Sequence, residues 1–261
     1  MLVIGEKINV RTKVYAEAFK ERNFEPIKDM AVQQVKAGAN MLDINIGPAR
    51  KDGVELMPWL VENIQRVVDV PLCLDTTNVE AIEAGLQVHR GKALINSTSA
   101  DPDRLALLMP LAAKYKAMII GLTLATGGLP RDANERCALA AEIMASAAEY
   151  NVPLEDIYLD PIMVPINGQQ EQVKEILEAV RLFRELNDPP MKSVIGLSNI
   201  SNGAPEEMRP IINATFLTMA ITVGLEGAIV DPLDHRIMES FKTTSVILNQ
   251  SLYCHSYLET C

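Results

Sequence analysis

The chain has 261 residues, close to the ~250 that one α/β barrel requires, so a single domain over 1–261 is expected. Hydrophobic residues make up 48% and aromatics only 5%, which calls for a core of aliphatic side chains. The net charge of −10 argues against nucleic acid or an anionic membrane as the main partner, because binding phosphates needs concentrated Lys and Arg.

Eight short apolar runs end in polar residues, and a helix-like stretch follows each. Met1–Gly5 stops at Glu6, and a helix is predicted over Pro26–Ala37, closed by Gly38. Met41–Ile44 contains Asp43 and stops at Asn45, ahead of a helix over Val54–Val68. Pro71–Leu74 stops at Asp75, and Asn78 is placed to cap a helix over Val79–Val88. Ala93–Ile95 stops at Asn96, ahead of Arg104–Lys114. Met118–Leu122 stops at Thr123, and Asp132 or Asn134 caps Ala133–Tyr150. Ile157–Leu159 stops at Asp160, ahead of Glu171–Leu186. Val194–Leu197 stops at Ser198 and Asn199, ahead of Pro210–Val223, which Gly224 ends. Ala228–Val230 stops at Asp231, ahead of His235–Leu248.

Near-continuous apolar runs mark strands buried on both faces, hence a parallel sheet. A doubly wound sheet needs a Gly-rich phosphate turn after its first strand, and Gly5-Glu6-Lys7-Ile8-Asn9 is not one. Eight units predict a closed (β/α)8 TIM barrel, whose chemistry sits at the C-terminal ends of the strands. No run reaches the ~20 apolar residues of a membrane span. The opening MLVIGEKINV is charged too early for a signal peptide. Four cysteines show no C-x-x-C spacing, so the expected setting is a reducing cytoplasm. Cys73 reads as a small buried hydrophobe inside a strand, and Cys254, His255 and Cys261 lack any recognisable zinc spacing, so no metal site is expected.

The strand tips define the chemistry. Asp75 and Asp160, with Asp43 and Asp231 as further candidates, offer carboxylates, while Asn9, Asn45, Asn96 and Asn199 each offer two donors and an acceptor. The tips carry no His, no H-E-x-x-H and no centred Schiff-base Lys; Lys7 is the lysine nearest a tip. Imidazole base catalysis and zinc hydrolysis are thereby disfavoured. Asp and Asn with few cations suit a neutral, planar heterocycle rich in donors, since a carboxylate accepts two parallel N–H bonds from a 2-amino-pyrimidinone edge. Taken singly, Asp75 also reads as a helix cap, and Asn96 and Asn199 as turn residues. Gly196, within a buried strand, marks a place where a ligand approaches the backbone.

Leu74-Asp75-Thr76-Thr77-Asn78, Ile95-Asn96-Ser97-Thr98, Tyr158-Leu159-Asp160-Pro161 and Gly196-Leu197-Ser198-Asn199 resemble, in order and spacing, the pterin-binding methyltransferases. Ile4-Gly5-Glu6-Lys7-Ile8-Asn9 resembles that family's opening, and the likeness is closest to the methyltetrahydrofolate:corrinoid/iron–sulfur protein methyltransferases over essentially the whole chain. It includes Arg209-Pro210-Ile211-Ile212-Asn213 and the Leu248-Asn249…Tyr253-Cys254 end. The resemblance implies a homodimeric barrel that binds tetrahydrofolate or 5-methyltetrahydrofolate, with the corrinoid (cobalamin) supplied by a partner protein. It implies that Asp75, Asn96 and Asp160 hold the pterin ring, that Gly196 and Ser198 lie along it, and that Asn199 hydrogen-bonds near N5. The reaction expected on this resemblance is an SN2 methyl transfer between N5 and cobalt, assisted by Asn199, with the proton coming through water or from a hydrogen-bonded network that includes Asp160.

The loops depart from the corrinoid/iron–sulfur subgroup. Val10-Arg11-Thr12-Lys13, Pro165–Gln170 and Asn202–Glu207 are altered, which bears on which corrinoid protein docks. Similar proteins run the methyl from corrinoid to tetrahydrofolate in methylamine- or betaine-type demethylation. No D-x-H-x-x-G corrinoid motif occurs, since His89, His235 and His255 all lack the following Gly. Dihydropteroate synthase is the less favoured alternative, because it needs a strand-tip Lys where Ser198-Asn199 stand; a non-catalytic folate-binding barrel is the other.

Overall fold

In a computed structural model, which describes residues 1–259, eight parallel strands close into a barrel in sequence order. The strands are β1 (Leu2–Asn9), β2 (Met41–Asn45), β3 (Leu72–Asp75), β4 (Leu94–Ser99), β5 (Met118–Leu122), β6 (Ile157–Asp160), β7 (Lys192–Gly196) and β8 (Gly227–Val230). Around them lie α1 (Lys13–Glu21), α2 (Glu25–Lys36), α3 (Gly53–Ile64), α4 (Val79–Val88), α5 (Pro102–Tyr115), α6 (Ala133–Glu149), α7 (Ile166–Phe183), α8 (Arg209–Thr222) and α9 (His235–Ile247). This is the (β/α)8 barrel expected from the alternation of apolar runs and helical stretches.

Side chains alternate along each strand with period two. One face packs outward into two apolar layers shared with the helices. On the other face Ile4, Met41, Cys73, Leu94, Ile120, Tyr158 and Val194 meet inside the barrel. The barrel is thus filled from below, and what lies above that plug is a shallow cup rather than a pore.

Local punctuation follows the expected chemistry. Asn78 Oδ1 accepts from the Ala81 amide at 3.2 Å and starts α4. Asp132, rather than Asn134, caps α6, accepting from the Glu135 amide at 2.9 Å. Gly38 (φ 104°) and Gly224 (φ 105°) close α2 and α8 in the left-handed region, where a Cβ is penalised.

Three departures have physical causes. Helix α1 is absent from the sequence expectation because it is only nine residues long, and its apolar stripe reduces to Tyr15, Ala18 and Phe19. Helix α5 begins at Pro102, two residues early, because proline is well tolerated at the first helical position. Helix α7 extends back to Ile166 across a non-helical break at Asn167, Gly168 and Gln169, so its regular part agrees with the expected start near Glu171. Among the described residues no helix is long and apolar enough to cross a membrane. Cys261 lies outside the described residues; Cys254 is exposed.

Candidate functional site

Two residues beyond the plug, on seven of the strands, the inward face becomes largely polar. Ile4, Met41, Cys73, Leu94, Ile120, Tyr158 and Val194 are followed at this spacing by Glu6, Asp43, Asp75, Asn96, Leu122, Asp160 and Gly196. All seven line one cavity of about 690 Å³ at the C-terminal mouth, within the usual span of small-molecule sites. Ser198, Asn199, Asn202 and Arg209 close one side of it, and Lys7, Asn9, Arg11 and Asn45 another. Every site residue expected from the sequence (Asp75, Asn96, Asp160, Gly196, Ser198, Asn199) faces this single space.

Strand register aligns the first group. Asn9, Asn45, Asp75 and Asn96 are successive Cα partners across β1 to β4. The Asn45 amide donates to the Asp75 carboxylate, and its Oδ1 accepts from the Gly47 amide at 3.0 Å, so its orientation is set from both ends. Asp75 does not cap α4; that task belongs to Asn78. One pleat deeper, Asp43 accepts from Asn96 Nδ2 at 3.1 Å. Burial and the neighbouring Asp75 charge hold the Asp43 carboxyl well above the ordinary range. Burial also raises Asp75, to about 6, against the opposing pull of Asn45 and Arg11.

Across the cup stands Asp160. Its Oδ1 accepts from the Ile162 amide at 2.7 Å, so part of its role is to turn the chain after β6. Burial lifts it to about 7, with the Ile162 amide and the Arg136 charge opposing. Thr123, which has no place in the cavity, supports Asp160 instead: its amide and hydroxyl both donate to the Asp160 carbonyl at 2.9 Å. Arg136, fully buried, donates to the carbonyls of Pro161 at 2.7 Å and Asp132 at 3.1 Å and to Gln172 Oε1 at 2.9 Å. That pins the long loop after β6.

After β7 the chain enters a short 3-10 turn, Leu197–Ser201, which carries Ser198 and Asn199. A Cβ on Gly196 would stand 3.0 Å from Asn199 Nδ2. What approaches this backbone in the protein itself is thus the Asn199 amide. Asn199 Oδ1 accepts from Asn202 Nδ2 at 3.3 Å, an orientation that leaves Nδ2 as the donor.

Sequence reasoning missed Glu6 as a site residue. Strand β1 is irregular between Gly5 and Ile8, where three steps on β1 oppose two on β2. Such a bulge re-aims side chains, and here both Glu6 and Lys7 face the cavity. Gln34 of α2 fills the bulge, its Oε1 accepting from the Lys7 amide at 3.0 Å. A Cβ on Gly5 would fall 2.5 Å from that Oε1. Gly5→Ala is expected to cost ~1–3 kcal/mol, as overpacking does, with partial recovery in Gly5→Ala/Gln34→Ala; denaturant unfolding measures both. Equal stability of Gly5→Ala and the parent would remove the bulge from this account. Lys7 Nζ pairs with Asp231 at 2.8 Å, which is the place of that last strand-tip carboxylate. Ser198 Oγ donates to Glu6 Oε1 at 2.5 Å. Burial pushes Glu6 up to about 7 despite the Ser198 bond. A period-two count from the apolar plug finds Glu6.

The cup thus offers carboxyls and carboxamides in a fixed layer, with the cations Arg11 and Arg209 at the edge. This set fits a flat ring carrying several N–H groups on one edge.

Comparison with known proteins agrees with this chemistry. The model of the family described as pterin binding enzyme matches residues 5–231. The methylcorrinoid:tetrahydrofolate methyltransferase of Eubacterium limosum is 27% identical over 259 residues, which is 98% of this chain and 94% of that protein. The methionine synthase of Mycobacterium leprae (strain TN) is 30% identical over 240 residues, 88% of this chain, and the chain spans only 20% of that protein's length. Among solved structures, the 7,8-dihydropteroate synthase of Vibrio fischeri ES114 superposes with a TM-score of 0.72 at 18% identity, covering 96% of this chain and 94% of that one. At that identity the structural likeness is one of fold. The chain belongs to the pterin-binding enzyme family, and methyltransferases are among its relatives.

Proposed function

We propose that this protein transfers a methyl group between N5 of tetrahydrofolate and the cobalt of a corrinoid carried by a partner protein. The observation that carries the reading is the cup itself: Asp75 and Asn96 in register on adjacent strands, Asp160 across from them, and the Asn199 amide folded over Gly196 at the rim. Similarity over almost the full length of a methylcorrinoid:tetrahydrofolate methyltransferase supports it. That relative's name also favours the direction from methyl-corrinoid to tetrahydrofolate as a second reading of the same chemistry.

In this reading Asp75, Asn96 and Asp160 hold the N–H edge of the pterin, with Gly196 and Ser198 along the ring. Asn199 donates its amide to N5. The corrinoid, brought over the mouth by its carrier, supplies the cobalt that gives or takes the methyl. The chain's own task is to bind and orient the folate and to stabilise charge at N5. An amide fixed in place does this better in the transition state than in the ground state, since charge at N5 grows only as the C–N bond breaks.

The homodimer is proposed on the family resemblance; the exposed Ile211 and Met219 of α8 line a groove of about 410 Å³ with Arg236 and Glu239 of α9.

Calorimetry with 5-methyltetrahydrofolate tests the binding half of the proposal. A Kd within the ~1 μM to ~1 mM span usual for enzyme substrates is expected; no heat at millimolar ligand rejects it.

A further inference from the structure

We propose that Glu6, acting through Ser198, stores the proton that N5 gains when its methyl group leaves and reclaims it when a methyl group arrives. The inference rests on the methyl-transfer reading above and adds the group that balances its protons.

Geometry carries it. Ser198 Oγ lies 2.5 Å from Glu6 Oε1, and Ser198 directly precedes Asn199 in the same 3-10 turn. The acid and the N5-directed amide therefore reach one sector of the cup from opposite ends of the chain. Alternation from Ile4 turns Glu6 into that sector, and the β1 bulge beside it, held by Gly5 and Gln34, brings Lys7 to the same face. The charged groups facing Glu6 are Lys7, Asp231 and Asp43. Lys7 is tied to Asp231 at 2.8 Å, so it neutralises that carboxylate and only weakly offsets Glu6. Asp75 and Asp160 are occupied as ring anchors, and Asp160 Oδ1 is already held by the Ile162 amide. Asp43 is tied to Asn96 on the floor of the cup, and Glu6 is the cavity carboxyl that bonds the turn carrying Asn199. Burial brings it to about 7, where a group gives and takes protons with similar ease.

The step balances as follows. When the C–N5 bond breaks, its electron pair stays on N5. The Ser198 hydroxyl passes its proton to N5, and the protonated Glu6 carboxyl passes its own to the Ser198 oxygen. Glu6 is left as a carboxylate, accepting from Ser198 as in the present structure, and regains a proton from water. In the opposite direction the N5 proton travels the same path to the Glu6 carboxylate.

The test uses the whole protein with two readouts. Infrared difference spectra of wild type against Glu6→Gln, taken across pH 4–9 without corrinoid, report the carboxyl of Glu6 alone. A carbonyl band titrating near 7 is expected, and Ser198→Ala should move it upward, because the hydroxyl bond holds it down. The second readout is the single-turnover rate of methyl transfer from 5-methyltetrahydrofolate to free cob(I)alamin against pH. Wild type should show a limb near 7; Glu6→Gln should lose that limb and ~10² in rate while still binding folate, whereas Asp160→Asn should chiefly weaken folate binding. A Glu6 titration below 5, or an unchanged limb in Glu6→Gln, overturns the inference and leaves the methyl-transfer reading standing. A wild type that transfers no methyl overturns both.

Discussion

Asn199→Ala slows methyl transfer by ~10²–10³, the usual loss for one placed donor, at saturating folate and acceptor, while folate affinity changes by less than about threefold. The expectation follows from where the amide sits. Its Oδ1 is held by Asn202 and its Nδ2 lies against Gly196, at the edge of the cup and away from the Asp75–Asn96 row. A donor in that position has little to bind in neutral folate, whose N5 carries no charge. Its interaction strengthens as the C–N bond breaks and electron density gathers on nitrogen, so its removal should appear in the rate constant rather than in the Kd. Single-turnover rates measured beside calorimetric affinities separate the two. An unchanged rate removes Asn199 from the chemistry; a large loss of affinity with an unchanged rate makes it a ring anchor instead.

Asp75→Asn should act in the opposite manner, weakening folate binding by ~10²-fold, equivalent to ~3 kcal/mol for a lost charge-assisted pair, and stabilising the unliganded protein at pH 8. The sign of the second effect comes from linkage. Asp75 is raised from 3.8 to about 6 in the folded chain, so between those values the folded state holds a proton that the unfolded state has released. Stability therefore falls as pH rises from about 4 to 6, and above 6 the cost of the buried carboxylate is fully present. Asparagine has no charge to bury, which points to a gain on the order of 1–3 kcal/mol at pH 8 and little gain at pH 4. The parent's folate affinity should fall as pH drops through 7 to 6, where Asp160 and Asp75 take up protons and stop accepting from the pterin edge. Denaturant midpoints and calorimetry across pH 4–8 check these outcomes. Tight folate binding by Asp75→Asn, or a stability gain at pH 4 equal to that at pH 8, contradicts the assignment.

The opposed effects in Asp75 reflect how the cup is built. Carboxyls held in register by strands cannot turn away into solvent, so the protein carries their burial until a ligand's N–H groups compensate it. Burial raises Asp43 as well and brings Asp160 and Glu6 to about 7, which adds to the same strain in the unliganded state.

Much of this was legible in the sequence because strand ends are marked twice, by the end of an apolar run and by the polar residue that follows. Asp75, Asn96 and Asp160 stand at such ends, and all three face the cavity. The barrel followed from the same alternation. What escaped was set by local distortion or by depth. Glu6 lines the cup by alternation from Ile4, but only the closed barrel shows which face of β1 points inward, and the bulge around Gln34 brings Lys7 there as well. Asp43 stands among the candidate carboxylates, but its depth, one pleat below Asp75 and buried, is not readable from its place inside an apolar run. Asp231 turned to Lys7 rather than to the cavity, a choice made by tertiary neighbours. Helix α1 is too short for its periodicity to stand out.

The central claim is methyl exchange at this cup, and one spectrum tests it most directly. The protein is mixed anaerobically with 5-methyltetrahydrofolate and reduced cob(I)alamin, and the visible absorbance is followed. Protein-dependent conversion of the cob(I)alamin spectrum to that of methylcobalamin, abolished or strongly slowed in Asn199→Ala, is the expected result. A cob(I)alamin spectrum that stays unchanged at saturating folate, with the folate demonstrably bound, would contradict it.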